Sequence, residues 1–183
     1  MSGLLSRSGD PPARDGAAPA ALILVTAILF VLRLAAASQI HLTEDEAYYR
    51  LWSMTPAFGY FDHPPMIAWW IAAGRAALGD TPLGVRAFSI CAAAATSFLV
   101  YDLARLAGAE TATAERAGLW FNAMLLPLAG GLLAVPDSPA GLFWTAALVC
   151  VLRATRAGSA GPWWVCAGVM AGCLLYTSDA ADE

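Results

Sequence analysis

The amino-acid sequence predicts an all-α integral membrane protein with several membrane-spanning helices. Of its 183 residues, 59% are hydrophobic and only 13% are charged, and the mean hydropathy is +0.61. A chain of this size cannot bury so much apolar surface in one water-soluble core, so lipid must solvate a large part of it. The net charge of -4 is small and there is no basic patch, which excludes nucleic acid as a partner.

The N-terminal region predicts a tail followed by a first span. Residues 1–18 combine glycine, proline and serine with two arginines and have no hydrophobic period, which is typical of a disordered cytoplasmic tail. The apolar run Pro19–Ile40 follows, and the small residues Ala35–Ser38 resemble a signal-peptide cleavage site. Because the run is longer than the apolar part of a signal peptide and Arg33 interrupts it near its end, we favour a retained signal anchor.

Four further apolar runs are long enough, or nearly so, to cross a bilayer core of about 30 Å. They are Leu83–Leu106, Ala114–Val135, Pro139–Leu152 and Pro162–Tyr176. A fifth run, Met66–Leu78, is too short to cross at about 1.5 Å per residue. We predict that it is an interfacial helix, a position that suits the indole rings of Trp69 and Trp70. The chain then crosses the membrane five times.

The arginine distribution supports this count. With five crossings, these arginines fall on one side: Arg7, Arg14, Arg105, Arg116, Arg153 and Arg156. Most candidate polar site residues fall on the other side: Asp45, Glu46, Asp62, His63 and Asp137. The positive-inside rule assigns the arginine side to the cytoplasm. All ten basic residues are arginine, a usage typical of GC-rich bacterial genomes. We therefore predict a multi-pass protein of the bacterial inner membrane, with a cytoplasmic N-terminus and one extracytoplasmic site.

Two acidic motifs carry the functional information. The first is Thr43–Pro65, TEDEAYYRLWSMTPAFGYFDHPP, and the second is Val135–Pro139, VPDSP. Together they resemble the first outer loop and second acidic motif of membrane glycosyltransferases that use polyprenyl-phosphate-linked sugars. That superfamily includes protein mannosyltransferases, aminoarabinose transferases acting on lipid A, and rhizobial-type galacturonosyl transferases. The resemblance extends over roughly Ala20–Tyr176 and implies a GT-C fold of the glycosyltransferase family 39 type.

The resemblance also implies a reaction and a set of catalytic residues. The chain would transfer a sugar from a polyprenyl-phosphate donor to an extracytoplasmic acceptor, which could be lipid A or its core, a cell-wall glycan or a protein. The first-loop acid that acts as the proposed base corresponds to Asp45, with Glu46 beside it, in an inverting mechanism. Asp137 would be the second acid. Local structure offers alternatives, because Thr43 and Glu46 have the spacing of a helix capping box and Asp137 precedes a helix, where aspartate is a common N-cap.

Other polar residues are candidates for the donor phosphate or a metal. Arg50 and Arg86 lie on the outer side against the positive-inside bias, and either bind phosphate or extend to the interface as anchors. Asp62 and His63 stand where the family often has Glu-Lys. Both are candidates for binding the substrate or its phosphate, or for sharing a divalent metal. Asp62 has the alternative of only favouring the positive end of the following helix. A divalent metal is possible, but one histidine with scattered carboxylates does not define a zinc site. Motifs for nucleotide phosphates are absent.

Two other classes of protein remain as alternatives. They are a fragment of a polytopic transporter and a non-catalytic membrane subunit. Transporters place ionisable groups within spans near the midplane, whereas the acids here lie in loops. The four cysteines form no C-x-x-C pair and are interpreted as apolar packing residues. We interpret residues 19–176 as the N-terminal part of a longer glycosyltransferase domain, inactive on its own, and residues 177–183 as non-native sequence.

Overall fold

The computed structural model describes residues 19–61, 63–156 and 160–177, and every regular element in these ranges is a helix. The helices are α1 Ala20–Gln39, α2 Glu44–Trp52, α3 Met66–Leu78, α4 Pro82–Leu106, α5 Thr111–Ala123, α6 Leu125–Gly130, α7 Asp137–Arg156 and α8 Gly161–Leu175. The predicted tail at 1–18 and nearly all of the predicted non-native segment lie outside the described residues. The all-helical expectation is confirmed for the described ranges.

Long-range contacts define one end of the helix bundle, which we call the arginine end. There Arg153 near the end of α7 forms an ion pair with Asp102 near the end of α4. The Glu115 carboxylate of α5 accepts hydrogen bonds from the backbone N–H groups of Ala21 and Leu22, at 2.8 and 3.2 Å. Glu115 therefore caps the start of α1, which has no capping side chain of its own.

The opposite end, which we call the acidic end, holds the two acidic motifs. The backbone N–H of Ala134, just before α7, donates to the Glu46 carboxylate of α2 at 2.9 Å. The N–H of Met66 at the start of α3 donates to the carbonyl of Tyr176, just after α8, at 3.1 Å. These contacts and those of the arginine end show which helices run from one end of the bundle to the other. They are α1, α4, α7, α8, and α5 together with α6. Both α2 and α3 stay at the acidic end.

Among the described residues, three helices are long and apolar enough to cross a membrane, namely α1, α4 and α7. Helices α3 and α8 are apolar but shorter, with 13 and 15 residues. The bounds of α3 match the predicted short segment, and its position at one end agrees with a helix that does not cross. Helix α7 starts at Asp137 and ends at Arg156, so it is longer than predicted. Its Pro139 lies in the first turn, where proline is tolerated.

The apolar run Ala114–Val135, which is expected to cross the membrane, is divided between α5 and α6. The backbone of Met124 is extended, with φ -67° and ψ 142°, and it separates α5 from α6. Pro127 explains the break, because in a continuous helix its ring would clash with the carbonyl of Ala123 and its nitrogen could donate no hydrogen bond. With the break at Met124, Pro127 falls in the first turn of α6, where neither cost arises.

Arg33 of α1 stabilises the short helix that results from the break. Its Nη2 donates to the carbonyls of Pro127 and Leu128, at 2.7 and 3.3 Å. These carbonyls lie in the last turn of α6, whose partial negative charge attracts a cation. Arg33 is only 6% exposed, and its Nε has no hydrogen-bond partner among the described residues.

A buried ion pair fixes the acidic end. Glu46 and Arg86 both have 0% exposed side chains. Arg86 donates from Nε and Nη2 to the two carboxylate oxygens of Glu46, at 2.7 and 2.6 Å. It also donates to the carbonyls of Ile40 and His41, at 2.8 and 2.9 Å. The pair therefore joins α2 to α4 and to the segment that follows α1.

An apolar cluster surrounds this pair. Its buried members are Tyr49, Ile67, Ile71, Val85 and Ala134. They come from α2, α3, α4 and the segment before α7. The helices α3 and α4 approach closely because both contribute a glycine: a Cβ on Gly74 would lie 2.1 Å from the carbonyl oxygen of Gly84. Any larger residue at this crossing would force the two helices apart.

Glu46→Gln should strongly destabilise the protein. The amide has nearly the shape of the carboxylate but leaves the Arg86 guanidinium buried without a counter-charge, a change that costs about 3–5 kcal/mol. We expect a lower thermal unfolding midpoint for the purified protein in detergent.

Glu44→Gln is the matched control, because Glu44 is exposed on the same helix and such changes stay within about 0.5 kcal/mol. The double variant Glu46→Leu/Arg86→Met should be more stable than Glu46→Gln, since it removes both charges. Equal midpoints for Glu46→Gln and Glu44→Gln would contradict the role assigned to the pair.

Candidate active site

The acidic end brings the two acidic motifs of the sequence together. The hydrogen bond from Ala134 to Glu46 joins them directly, and Val135 packs against the apolar cluster. Asp45 precedes Glu46 in the first motif, and Asp137 follows Ala134 by three residues in the second. Both aspartates are exposed. The two acidic motifs therefore meet at the same end of the bundle.

The acidic residues of the first motif differ in their surroundings. The predicted capping box is present: Thr43 Oγ1 accepts from the Glu46 N–H at 3.3 Å, and the Glu46 carboxylate accepts from the Thr43 N–H at 2.9 Å. Successive helical residues point about 100° apart, so Asp45 faces outward while Glu46 faces the core. Within the described part of the chain, no hydrogen bond or ion pair engages the Asp45 carboxylate. Asp45 is thus available to a ligand.

Glu46 and Arg86, both predicted as site residues, instead face each other in the protein interior. Burial raises the pKa of Glu46, but hydrogen bonds from Arg86, Thr43 and Ala134 outweigh it and hold this pKa below its usual value. Glu46 is therefore an ionised, fully bonded carboxylate at neutral pH. In this arrangement neither side chain presents a surface to a substrate.

Asp137 is the first residue of α7. The sequence left open the alternative that it serves only as an N-cap. In the described ranges, however, its carboxylate accepts no hydrogen bond from a backbone N–H of the helix. Its charge still benefits from the positive end of α7. Ser138 is engaged locally, because its Oγ donates to the carbonyl of Leu133 at 3.0 Å.

Arg50 belongs to a charged cluster that we call the arginine clamp, formed by Arg50, Arg75 and Asp80. Arg50 contacts both carboxylate oxygens of Asp80, and Arg75 Nε donates to Asp80 Oδ1 at 2.7 Å. Arg75 also donates to Ser53 Oγ at 3.0 Å. The guanidinium groups of Arg50 and then Arg75 lower the pKa of Asp80 to about 2, so Asp80 is ionised at neutral pH. Two arginines around one carboxylate leave the clamp with a net positive charge.

Aromatic rings cover the side of the first motif. Trp52 stacks on Tyr60, with ring centroids 4.5 Å apart and an interplanar angle of 3°. The Tyr60 hydroxyl donates toward the carbonyls of Trp52 and Thr55, at 3.0 and 3.1 Å, and so anchors the loop after α2. His63 meets Tyr49 and Trp52 edge-on, with ring centroids 5.7 and 6.0 Å away. The predicted histidine therefore belongs to an aromatic cluster with Tyr49, Trp52 and Tyr60.

No metal site is apparent in the described ranges, where no three His, Cys, Asp or Glu residues lie close enough to hold an ion. Asp62 lies outside the described residues. The pairing of Asp62 with His63, for a phosphate or for a metal, therefore stays a prediction.

An apolar cavity of about 430 Å³ adjoins Asp137. Its walls come from α4, α5, α6 and the start of α7. It reaches from Asp137 and Val135 to Thr96, midway along α4, and Phe121, near the end of α5. Leucine, alanine, glycine and proline side chains make up most of the lining. The break at Met124 shapes this cavity, because α6 and the following glycines supply one wall. A long apolar ligand chain with a polar end near Asp137 fits this arrangement.

The sequence interpretation missed three of these features. The candidate site residues included neither Arg75 nor Asp80, although the predicted topology places both on the same side as Arg50. The cavity depends on the helix break at Met124, for which Pro127 and the Gly130-Gly131 pair were the available signals.

Comparisons with known proteins agree with the motif resemblance. The family model described as dolichyl-phosphate-mannose-protein mannosyltransferase matches residues 62–178, about two thirds of the chain. The undecaprenyl phosphate-alpha-4-amino-4-deoxy-L-arabinose arabinosyl transferase of Yersinia enterocolitica is 35% identical over 101 residues.

These 101 residues are 55% of this chain but only 18% of that relative, so the match spans less than a fifth of the relative's length. No solved structure matches the chain significantly. The family match confirms the resemblance inferred from the two acidic motifs. The chain therefore belongs to the dolichyl-phosphate-mannose-protein mannosyltransferase family of GT-C membrane glycosyltransferases.

Proposed function

We propose that this chain forms part of an enzyme that transfers a sugar from a polyprenyl-phosphate donor to an extracytoplasmic acceptor. One juxtaposition carries the proposal: the acidic end holds two exposed aspartates, a positively charged clamp and the end of an apolar cavity. These are the groups that such a reaction requires, namely a base, a site for the leaving phosphate and a place for the lipid chain. The donor class is supported by the Yersinia relative, which is named for an undecaprenyl-phosphate donor.

Asp45 is the proposed base. Its carboxylate would take the proton of an acceptor hydroxyl while the acceptor oxygen attacks the anomeric carbon from the side opposite the phosphate. The bond from the anomeric carbon to the phosphate oxygen breaks, and polyprenyl phosphate leaves with the bonding electrons. Configuration at the anomeric carbon is inverted. The exposure of Asp45 on α2 and its lack of a partner among the described residues support this role.

The other groups would bind and orient the substrates. Arg50, with Arg75 beside it, would contact the donor phosphate. In this structure the Asp80 carboxylate accepts the hydrogen bonds of both arginines that the phosphate would accept. The apolar cavity would hold the first isoprene units of the donor. Asp137 at its border would accept hydrogen bonds from sugar or acceptor hydroxyls. The acceptor would be lipid A or its core, a cell-wall glycan or a protein.

The acidic end should face the outside of the cytoplasmic membrane. Single cysteines replacing Thr55 and Ser138, in a background with the four native cysteines changed to serine, should react with an impermeant maleimide in intact cells. Ala112→Cys at the arginine end is the control and should react only after permeabilisation. Labelling of Thr55→Cys but not Ser138→Cys in intact cells would contradict a single site at this end.

Asp45→Asn should lower kcat by about 10²-fold or more, the usual contribution of general base catalysis. The measurement is release of undecaprenyl phosphate from an undecaprenyl-phosphate-linked aminoarabinose or mannose donor by membranes that contain the full-length enzyme of which this chain is a part. Asp137→Asn should also impair turnover, although asparagine caps a helix about as well as aspartate.

Glu44→Gln is the matched control, because it removes an adjacent exposed carboxylate and should leave kcat unchanged. Wild-type turnover by both asparagine variants, at equal protein levels, would refute the assignment of the two aspartates.

Arg50→Gln should raise the KM for the donor by about 10-fold or more with a smaller change in kcat, as expected when a charged hydrogen bond to phosphate is lost. Arg105→Gln is the control. Arg105 lies at the arginine end, where it bonds to the Ala109 carbonyl, and its loss should not affect the KM for the donor. An unchanged KM in Arg50→Gln would exclude the clamp as the phosphate site.

A further inference from the structure

Two cysteines that are distant in the sequence meet between the last two helices. Cys150 lies on α7 and Cys166 on α8, and their Sγ atoms are 2.9 Å apart. Both thiols are free in this structure. The remaining cysteines, Cys91 and Cys173, take no part in the contact. The spacing of 16 residues matches no short redox motif, which is why the sequence indicated packing residues only.

A second contact shows that helix register, and not one side-chain rotamer, brings the thiols together. The guanidinium of Arg153 lies over the Trp163 ring, 4.9 Å from its centroid. Arg153 follows Cys150 by three residues, and Trp163 precedes Cys166 by three. In an antiparallel helix pair, a step of about one turn along each helix leads from one facing pair to the next. Both contacts therefore result from the same register of α7 against α8.

We propose that Cys150 and Cys166 form an oxidisable dithiol that closes to an intramolecular disulfide across the α7–α8 hairpin. A disulfide has an S–S distance of about 2.05 Å, so the two sulfur atoms need approach by less than 1 Å from their present 2.9 Å separation. The co-reactant would be an apolar disulfide, since the site lies between two apolar helices. The proposal is independent of the glycosyltransferase assignment.

The disulfide would form in two thiol–disulfide exchange steps. The Cys166 thiolate attacks one sulfur of the reagent disulfide, whose S–S bond breaks and releases one thiol. The Cys150 thiolate then attacks Cys166 Sγ, the mixed disulfide breaks, and the second reagent thiol leaves. The two protein thiols are oxidised, the reagent disulfide is reduced, and the two protons pass to the leaving thiolates. Cys166 should react first, because it is partly exposed whereas Cys150 is 5% exposed.

Dithiodipyridine, an apolar aromatic disulfide, provides the test. The protein should carry Cys91→Ser and Cys173→Ser, so that only the pair reacts, and should elute as a folded species in detergent. We expect release of two thiopyridones per chain, measured by absorbance. Intact-mass analysis should show a chain lighter by two hydrogen atoms with no pyridyl adduct, and a phosphine reductant should restore both thiols.

Three variants in the same background serve as controls. Cys150→Ser should keep one pyridyl adduct on Cys166, and Cys166→Ser should react slowly at the buried Cys150. The variant Cys150→Ser/Val151→Cys keeps two thiols, but one of them lies about 100° further around α7. Because this thiol no longer faces Cys166, the pyridyl adducts should remain. Two stable adducts on the Cys150–Cys166 protein, or a disulfide-linked dimer on a non-reducing gel, would overturn the proposal.

Discussion

The architecture of the acidic end depends on the buried ion pair between Glu46 and Arg86. Removing two charges from solvent is costly, and the attraction between them offsets this cost only when the geometry is good and the other polar atoms are also bonded. Here the guanidinium donates to both carboxylate oxygens and to two backbone carbonyls, and the carboxylate also accepts from Ala134. Segments far apart in the sequence are thereby held in one arrangement, with the two acidic motifs side by side.

This constraint also explains why three consecutive acidic residues have different properties. Glu46 is held inward by its bonds to Thr43, Arg86 and Ala134. Because helical residues turn by about 100° per position, Asp45 must then face outward. The bonds that hold the buried Glu46 carboxylate thus also set the direction of the exposed Asp45 carboxylate. The structural role of Glu46 and the role proposed for Asp45 depend on the same helix geometry.

Local signals made part of this structure predictable. The capping box, the bounds of α3 and the acidic motifs all depend on residues within a few positions of each other, so the sequence carries them directly. The partners of Arg50 and Arg86 are 30 and 40 residues away, and nothing in their spacing specifies a pairing. Both arginines looked alike in the sequence, yet Arg86 is buried and Arg50 lies near the surface. The break between α5 and α6 was missed because the apolar run outweighed the effect of Pro127.

The contact between Arg33 and α6 has a consequence for how the protein enters the membrane. Arg33 lies in α1, and the carbonyls that receive its hydrogen bonds follow 94 and 95 residues later. An arginine within an apolar span costs about 3 kcal/mol on translocon-insertion scales. Until α6 has been made, water or the insertion machinery must solvate the Arg33 guanidinium. Helix α1 therefore reaches its final contacts only after several later helices have been synthesised.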